Sequence, residues 1–178
     1  MKNIHNFTAM RIYLIGYMAS GKSKLGRLLA EKLGFSFLDL DHLFEQRFRI
    51  RVIDFFEKYD ESGFRTIEQS LLHETIDCEN VVIATGGGTP CFFDNMRFIK
   101  ESGVSIYLKW ELADLIGRLQ QAKWKRPLLK AMPVDDFEAN VSLQIEQRKF
   151  YYEQADFTVD AKKLNPDKIV EWIHSRQG

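Results

Sequence analysis

The stretch of sequence that decides the fold is GYMASGKS, residues Gly16–Ser23, which fits the pattern G-x-x-x-x-G-K-[ST]. The apolar run Arg11–Ile15 precedes it and predicts a β-strand. After it, residues 22–33 place leucine and alanine at helical spacing, and Gly34 stands where a helix commonly ends. The sequence therefore predicts a strand, a glycine-bearing loop and a helix in that order.

The rest of the chain predicts an α/β fold. Short strands are expected at residues 35–38, 81–84, 104–108 and 157–159. Helical patterns follow or separate them at residues 42–77, 92–100, 111–119, 134–154 and 166–176. The first of these patterns is interrupted at Gly63. Because strands alternate with helices, we expect a parallel sheet. The length of 178 residues favours a single domain, spanning 1–178.

A polar and basic segment, Gln120–Lys130, separates two of these helical patterns. It contains Lys123, Lys125, Arg126 and Pro127 but no strand pattern of its own. Loops of this kind often carry function on a rigid scaffold. We therefore expect a mobile lid over about residues 120–132.

Composition argues against several classes of protein. The chain has 25 basic and 25 acidic side chains, whereas nucleic-acid-binding proteins usually carry a basic excess. No stretch approaches the ~20 apolar residues of a membrane span, and residues 1–10 lack the apolar core of a signal peptide. Cys78 and Cys91 lack metal-ligand spacing, which favours reduced structural thiols. We expect a soluble, cytoplasmic monomer that binds neither nucleic acid nor membranes.

The GYMASGKS segment has the features of a phosphate-binding P-loop. Glycine lets such a loop turn its backbone N–H groups inward, and the following helix directs its positive N-terminal end at the same point. Lys22 is expected to reach the β- and γ-phosphates of a nucleoside triphosphate, and Ser23 to give a hydroxyl to Mg²⁺. The segment therefore predicts binding of Mg-ATP, without indicating what receives the phosphate.

Candidate acceptor-binding residues begin with two carboxylates and an arginine. Asp39 and Asp41 end the second apolar run, and strand alternation would put both on one side, one facing a metal ion and the other the acceptor. They could instead cap a helix, since Asp41 directly precedes a helical pattern. Arg65 lies within a helical pattern, where a lone arginine is commonly a solvated-face residue.

Three consecutive glycines, Gly86, Gly87 and Gly88, close the buried strand predicted at 81–84. Backbone that approaches a ligand closely explains them more easily than turn geometry alone. The basic lid residues and Arg148 on the next helix complete the set, although basic residues in polar segments are commonly solvated. Pockets of parallel sheets form beyond the carboxyl ends of the strands, so we expect these features to share one pocket.

Together and in this order, these segments resemble the shikimate kinase family. The resemblance extends from Arg11 to about Ile173 and rests on the P-loop, FLDLD at 37–41, FR at 64–65 with IE at 67–68, the triple glycine, RPLL at 126–129, and Arg148. It implies a nucleoside-monophosphate-kinase-like α/β/α sandwich around a five-stranded parallel sheet. It also implies transfer of the γ-phosphoryl group of ATP to the 3-hydroxyl of shikimate, on the route to chorismate and the aromatic amino acids.

The resemblance also implies roles for individual residues. Shikimate would be held, beside helices of residues 40–77, by Asp41, Arg65, Arg148 and the backbone at Gly86, Gly87 and Gly88. ATP would contact Gly16, Ala19, Ser20, Gly21, Lys22, Ser23, Lys24, Arg118 and Arg126. The transfer itself would use Lys22, Asp41 and Arg126, and Mg²⁺ would be bound by Ser23 and, through water, by Asp39. Two arginines suit the carboxylate of shikimate, because a guanidinium can donate two parallel hydrogen bonds to it.

Three positions depart from the usual family pattern. Ala19 stands where glycine is common and Lys24 where threonine is common. The candidate for an adenine-stacking arginine, Arg118, is one residue out of the usual register. Two alternatives stay open: another small P-loop kinase, acting on gluconate or a nucleoside monophosphate, and a regulatory nucleotide-binding module without catalysis. The triple glycine with RPLL disfavours the first, and the presence of Lys22, Asp39 and Arg126 disfavours the second.

Overall fold

The computed structural model, which describes residues 10–123 and 137–176, contains a five-stranded parallel sheet. Its strands are β1 (Arg11–Ile15), β2 (Ser36–Asp39), β3 (Val81–Ala84), β4 (Val104–Lys109) and β5 (Phe157–Asp160). They lie in the order β2-β3-β1-β4-β5, and every neighbouring pair is parallel. The predicted parallel α/β sheet is confirmed.

Eight α-helices accompany the sheet within the described residues. They are α1 (Lys22–Leu33), α2 (Leu40–Phe48), α3 (Val52–Lys58), α4 (Glu61–Glu74), α5 (Asn95–Ser102), α6 (Leu112–Lys123), α7 (Phe137–Tyr152) and α8 (Pro166–Ser175). The strand, loop and helix predicted around residues 16–23 are confirmed. Gly34 ends α1 with a φ of 69°, a left-handed conformation that glycine adopts readily.

The central strand β1 is buried on both faces, which explains why it reads as an unbroken apolar run. Ile12 and Leu14 belong to the apolar cluster on one face, where α1 and α8 pack. Tyr13 and Ile15 belong to the cluster on the other face, with α2, α4 and α5. A third cluster surrounds Tyr17 and packs α6 against α7, next to the P-loop.

Several helix bounds differ from their predictions. Helix α2 begins at Leu40, because the side chain of Asp39 caps it. Helix α4 runs through Gly63 without the predicted interruption, because this residue lies in the first turn and donates its N–H to Oδ1 of Asp60 at 2.6 Å. Helix α5 begins only at Asn95, after a 3₁₀ turn over Thr89–Cys91, and α6 extends four residues into the segment predicted as a loop, to Lys123.

The sheet brings the predicted functional loops to one edge. Strands β1, β2 and β3 end at nearly the same level, since Leu14 and Asp39 are both in register with Ala84. Strands β2 and β3 lie on one side of β1, and β4 lies on the other. Such a reversal of strand order opens a crevice at the carboxyl ends of the strands. The P-loop, Asp39 and the triple glycine therefore meet there.

The cysteines and the length of the helices also bear on the composition. Cys78 and Cys91 are free, half-buried thiols, and burial raises the pKa of Cys91 to about 11. No helix in the two described ranges is long and apolar enough to cross a bilayer.

Candidate active site

The P-loop encloses the ammonium group of Lys22. Its Nζ donates hydrogen bonds to the carbonyl oxygens of Gly16 and Tyr17, at 2.8 Å each, and lies 3.4 Å from Oγ of Ser20. Lys22 is only 8% exposed, so a bound phosphate would meet a positive charge already placed inside the loop. The geometry suits the predicted role of Lys22 toward phosphate.

Ala19 has a backbone conformation that favours glycine. Its φ is 60°, in the left-handed region that costs an L-residue about 1–2 kcal/mol. Gly21 also has a positive φ, 99°, directly before α1, and bears no such cost. The alanine at the position where the family commonly has glycine is therefore a strained point of the P-loop.

Asp39 connects the P-loop to α2. Its Oδ2 accepts a 2.5 Å hydrogen bond from Oγ of Ser23, while Oδ1 accepts from the backbone N–H groups of Asp41 and His42, at 3.1 and 3.3 Å. The helix cap is therefore Asp39 alone, and Asp41 lies in the first turn of α2. The prediction that strand alternation aligns the two carboxylates is wrong, because the strand ends at Asp39; the helix turn brings both to the same cleft.

This cleft has a volume of about 470 Å³. P-loop residues line it together with Asp41, Thr85 and Gly87, whereas the predicted acceptor residues Arg65 and Arg148 do not belong to its lining. Lys24 is exposed and belongs to the same lining.

The carboxyl group of Asp41 has an unusual pKa. The walls of the cleft displace part of the water around it, and the carboxylates of Glu68 and Asp39 repel its charge, so its pKa rises to about 6. The side chain nevertheless keeps contact with solvent in the cleft. Asp41 is therefore ionised at neutral pH and gains a proton in mildly acidic solution.

The triple glycine Gly86–Gly88 has three different neighbours. At the first glycine, a Cβ would lie 2.5 Å from Oε1 of Glu68, and at the third it would lie 2.6 Å from Nη2 of Arg65. At the second, Gly87, a Cβ would lie 3.0 Å from the backbone nitrogen of Met18. The close approaches that the structure shows are made to the P-loop and to the residues around Arg65, and the predicted approach to a ligand stays a prediction.

Arg65 is held by two carboxylates and an aromatic ring. Its Nη1 donates to Oε2 of Glu68 at 2.7 Å, and its Nε and Nη2 donate to Oε1 of Glu61 at 3.1 and 2.8 Å. The ring of Phe92 lies 4.2 Å from the guanidinium carbon. The solvated-face alternative is wrong, because Arg65 is only 8% exposed. It lies against Gly88, next to the cleft rather than in its lining.

Arg148 lies on α7 between two tyrosines. Its guanidinium carbon is 5.3 Å from the centre of the Tyr17 ring, and, against the lowering effect of burial, the interaction of its charge with the hydroxyl of Tyr152 raises its pKa. The Tyr152 hydroxyl in turn donates to the carbonyl oxygen of Gly87 at 2.5 Å. The predicted acceptor arginine is thus connected to both the P-loop and the triple glycine.

Trp110, directly after β4, is a site residue that sequence reasoning missed. Its Nε1 donates to the carbonyl oxygen of Ser20 at 2.9 Å. Arg118 stacks on the indole ring at 4.4 Å and donates from Nε to the carbonyl oxygen of Ala19 at 3.2 Å. Arg118 therefore lies beside the P-loop and lines the cleft despite its shifted register.

Other missed residues left different signals. Glu61 and Glu68 stand four residues before and three after Arg65, a spacing that does predict ion pairs on one helix face. Tyr17 and Tyr152 left no signal, because their partners are far apart in sequence.

The predicted lid arginine, Arg126, lies outside the described residues, as does the lid from residue 124 onward. The predicted metal ligands do not form an all-protein site, because no group of three or more His, Cys, Asp or Glu side chains suited to a metal occurs among the described residues. A magnesium site formed by Ser23 and Asp39 therefore needs oxygen ligands from phosphate or water as well.

Comparison with known proteins identifies the family. A family model described as shikimate kinase matches residues 18–176. The chain belongs to the shikimate kinase family. It is similar to a shikimate kinase from Parabacteroides distasonis, with 42% identity over 163 residues that cover 92% of this chain and 94% of the relative.

Solved structures of shikimate kinases have the same architecture. The crystal structure of the enzyme from Bacteroides thetaiotaomicron matches with a TM-score of 0.85 and 38% identity, covering 94% of this chain and 98% of the other. The enzyme from Acinetobacter baumannii, in complex with shikimate, matches with a TM-score of 0.83 and 34% identity, covering 96% of each chain.

Family membership decides between the alternatives that the sequence left open. Members of the shikimate kinase family are ATP-dependent kinases that phosphorylate shikimate. The chain is therefore an enzyme rather than a regulatory module, and the assignments to gluconate or a nucleoside monophosphate are set aside.

Proposed function

We propose that the 470 Å³ cleft transfers the γ-phosphoryl group of ATP to the 3-hydroxyl of shikimate, with the residues predicted from the sequence. The observation that carries this proposal is the contact between Gly87 and the P-loop, where a Cβ would lie 3.0 Å from the backbone nitrogen of Met18. Phosphoryl transfer depends mainly on the alignment of the two substrates and on stabilisation of charge. Direct contact between the P-loop and the triple glycine therefore supports a shared reaction site.

On the donor side, Lys22 would bind the β- and γ-phosphates after its ammonium leaves the carbonyl oxygens of the P-loop. The Ser23 hydroxyl and the Asp39 carboxylate are hard oxygen donors 2.5 Å apart, which fits Mg²⁺ bound by the hydroxyl and, through water, by the carboxylate. When bound, Mg²⁺ would neutralise charge on the phosphates.

On the acceptor side, Arg65 and Arg148 would bind the carboxylate of shikimate. Each Nη of Arg65 carries a second N–H beyond those given to Glu61 and Glu68, so the guanidinium has donors left for a carboxylate. Asp41, ionised at neutral pH, would accept hydrogen bonds from ring hydroxyls and could accept the proton of the attacking one.

The remaining assignments follow from the same scheme. We propose one domain over 1–178, in which residues 40–77 bind the acceptor and residues 120–132 form a lid that carries Arg126 to the transferred phosphoryl group. Closure would exclude water, which would otherwise consume ATP. We also propose that the protein works as a monomer in the cytoplasm.

The reaction is tested with purified protein and Mg-ATP, by coupled measurement of ADP release with shikimate, gluconate or AMP as the sole acceptor. We expect turnover with shikimate and a product heavier by one phosphoryl group in mass spectrometry. The variant Lys22→Met should abolish turnover, which controls for contaminating kinases. Turnover with gluconate or AMP and none with shikimate would overturn the proposal.

A further inference from the structure

Tyr17 touches both halves of the site through different parts of one residue. Its carbonyl oxygen accepts a 2.8 Å hydrogen bond from Nζ of Lys22 on the donor side. Its side chain points to α7, where the hydroxyl donates to Oε1 of Gln144 at 2.8 Å and the ring lies 5.3 Å from the guanidinium carbon of Arg148. Tyr17 is only 4% exposed, so these contacts hold it in a packed position.

One face of α7 is directed at the P-loop and the triple glycine. Gln144, Arg148 and Tyr152 follow one another at intervals of four residues, which places them along one side of the helix. Two of them contact Tyr17, and the third donates to the carbonyl oxygen of Gly87 at 2.5 Å. This face therefore connects the P-loop to the triple glycine, with Arg148 lying between Gln144 and Tyr152.

Nucleotide binding is expected to change the hydrogen bond at the carbonyl oxygen of Tyr17. Phosphate oxygens compete for the Lys22 ammonium, which in the structure donates to the carbonyl oxygen of Tyr17. Loss of that bond leaves the carbonyl with the longer, 3.3 Å hydrogen bond from the backbone N–H of Ser20, so the peptide that carries the Tyr17 ring is held less tightly. The same event therefore alters the contact between Tyr17 and Arg148.

We propose that Tyr17 is a positioning residue that couples the two substrates, setting the Arg148 guanidinium for the acceptor carboxylate in response to phosphate at Lys22. The inference rests on the proposed function, because it takes Arg148 as a ligand of the acceptor. Coupling of this kind is reciprocal: nucleotide raises the affinity for shikimate by the factor by which shikimate raises the affinity for nucleotide.

Burial keeps the hydroxyl groups of Tyr17 and Tyr152 protonated. It raises the pKa values of Tyr17 and Tyr152, so both phenols remain hydrogen-bond donors at neutral pH. The arginine contact with the Tyr17 ring needs no titration. The coupling should therefore be independent of pH between about 7 and 8.

The test measures the Kd of shikimate by calorimetry with and without Mg-ADP, and the Kd of Mg-ADP with and without shikimate. We expect the wild type to bind shikimate several-fold more tightly with Mg-ADP. In Tyr17→Leu, which loses both the ring and the hydroxyl, this ratio should fall to within about twofold of unity, since a ring–cation contact is worth about two- to thirty-fold in affinity. The Kd of Mg-ADP alone should change less than about twofold.

Two further variants separate the contacts. Tyr17→Phe keeps the ring over Arg148 but loses the hydrogen bond to Gln144, so it should retain part of the coupling, and Gln144→Leu should match it. If Tyr17→Leu does not fold, these two variants must show the reduced ratio. Tyr13→Phe is the matched control, because it removes a buried hydroxyl that bonds Thr75 and Ser102 in the core. It should lower Tm and leave the ratio unchanged.

The outcomes distinguish this inference from the proposed function. A wild type that neither binds nor phosphorylates shikimate contradicts the proposed function. A wild type that turns over shikimate without coupling, or Tyr17 variants that keep the wild-type ratio, overturns the role of Tyr17 alone. If Tyr13→Phe lowered the ratio as much as the Tyr17 variants do, the effect would be merely structural and the role of Tyr17 would be overturned.

Discussion

Oε2 of Glu68 accepts a 2.7 Å hydrogen bond from Nη1 of Arg65, and the exposed fractions of the two side chains are 4% and 10%. The other oxygen of Glu68 accepts from Oγ1 of Thr89 at 2.6 Å. A buried charge is tolerated only when it is paired and hydrogen-bonded, and this carboxylate satisfies both conditions. Glu68 therefore fixes the position of the arginine proposed to bind the carboxylate of shikimate.

The first prediction concerns Glu68→Gln, which removes the charge and keeps the shape. The Arg65 guanidinium loses its buried counter-ion, so we expect the free energy of unfolding to fall by about 2–4 kcal/mol. The KM for shikimate should rise about tenfold, while the KM for ATP should stay within about twofold. Denaturant unfolding and steady-state kinetics measure these changes.

The control is Glu61→Gln, at the other partner of Arg65. The side chain of Glu61 is 57% exposed, so its loss should cost less than about 1 kcal/mol. Equal changes in the KM values of both substrates for Glu68→Gln would contradict a role confined to the acceptor side.

The second prediction concerns Gly88→Ala. The added Cβ would lie 2.6 Å from Nη2 of Arg65, and displacement of the guanidinium should raise the KM for shikimate more than that for ATP. Gly117→Ala provides the comparison, because a Cβ there meets nothing within 4 Å and alanine favours the helix by about 1 kcal/mol. It should raise Tm slightly and leave both KM values unchanged. Unaltered shikimate kinetics in Gly88→Ala would refute the close contact.

The third prediction concerns the strained residue of the P-loop. Ala19→Gly removes a Cβ from a residue with a φ of 60°, so the free energy of unfolding should rise by up to about 1 kcal/mol despite the extra entropy of glycine. Ala30→Gly, in the middle of α1 and 4% exposed, should instead lose about 1 kcal/mol or more. Urea titrations compare the two variants. A destabilised Ala19→Gly would show that the left-handed conformation costs this chain nothing.

The fourth prediction concerns the pH dependence of Asp41, whose pKa is raised to about 6. Because the ionised carboxylate is proposed to bind the acceptor, kcat/KM for shikimate should fall as pH decreases through 6, and Asp41→Asn should lack this limb along with most of the turnover. Rate profiles between about pH 5 and 8 report this.

Stability gives an independent check on the same group. Between about pH 4 and the folded pKa of about 6, the folded protein binds a proton that the unfolded chain has released, so the contribution of Asp41 to stability falls as pH rises through this window. Asp41→Asn should therefore have a higher Tm than the wild type at pH 7, with the difference disappearing toward about pH 4. A lower Tm at pH 7 would contradict the raised pKa.

The sequence predicted the sheet well, because its strands are short apolar runs. Such runs can be recognised from their own residues, without knowing which strand each one pairs with. Val81–Ala84 is buried throughout and was identified by its residues alone. Helix starts were predicted less well, since they depend on which side chain captures the free N–H groups. At the end of the second strand, the side chain of Asp39 accepts from these N–H groups and the helix begins at Leu40. Asp41 therefore lies in a helix and not, as predicted, at the end of a strand.

Parts of the site could be predicted where a sequence pattern has one common structural explanation. The P-loop pattern alone was enough to place Lys22, and the run of glycines was enough to predict that backbone there lies close to a neighbouring group. The contacts of Trp110 with Ser20 and of Tyr17 with Gln144 could not be predicted, because they join residues 90 and 127 positions apart. Such pairs exist only once the sheet has placed their elements side by side.

The most direct test of the shared cleft is a crystal structure with shikimate and Mg-ADP, in which distances from the shikimate carboxylate to Arg65 and Arg148 are measured. We expect both guanidinium groups within about 3 Å of carboxylate oxygens and a ring hydroxyl at the same distance from Asp41, with Lys22 on the nucleotide phosphates. Shikimate bound elsewhere, or carboxylate oxygens beyond hydrogen-bonding distance of both arginines, would contradict the proposed site.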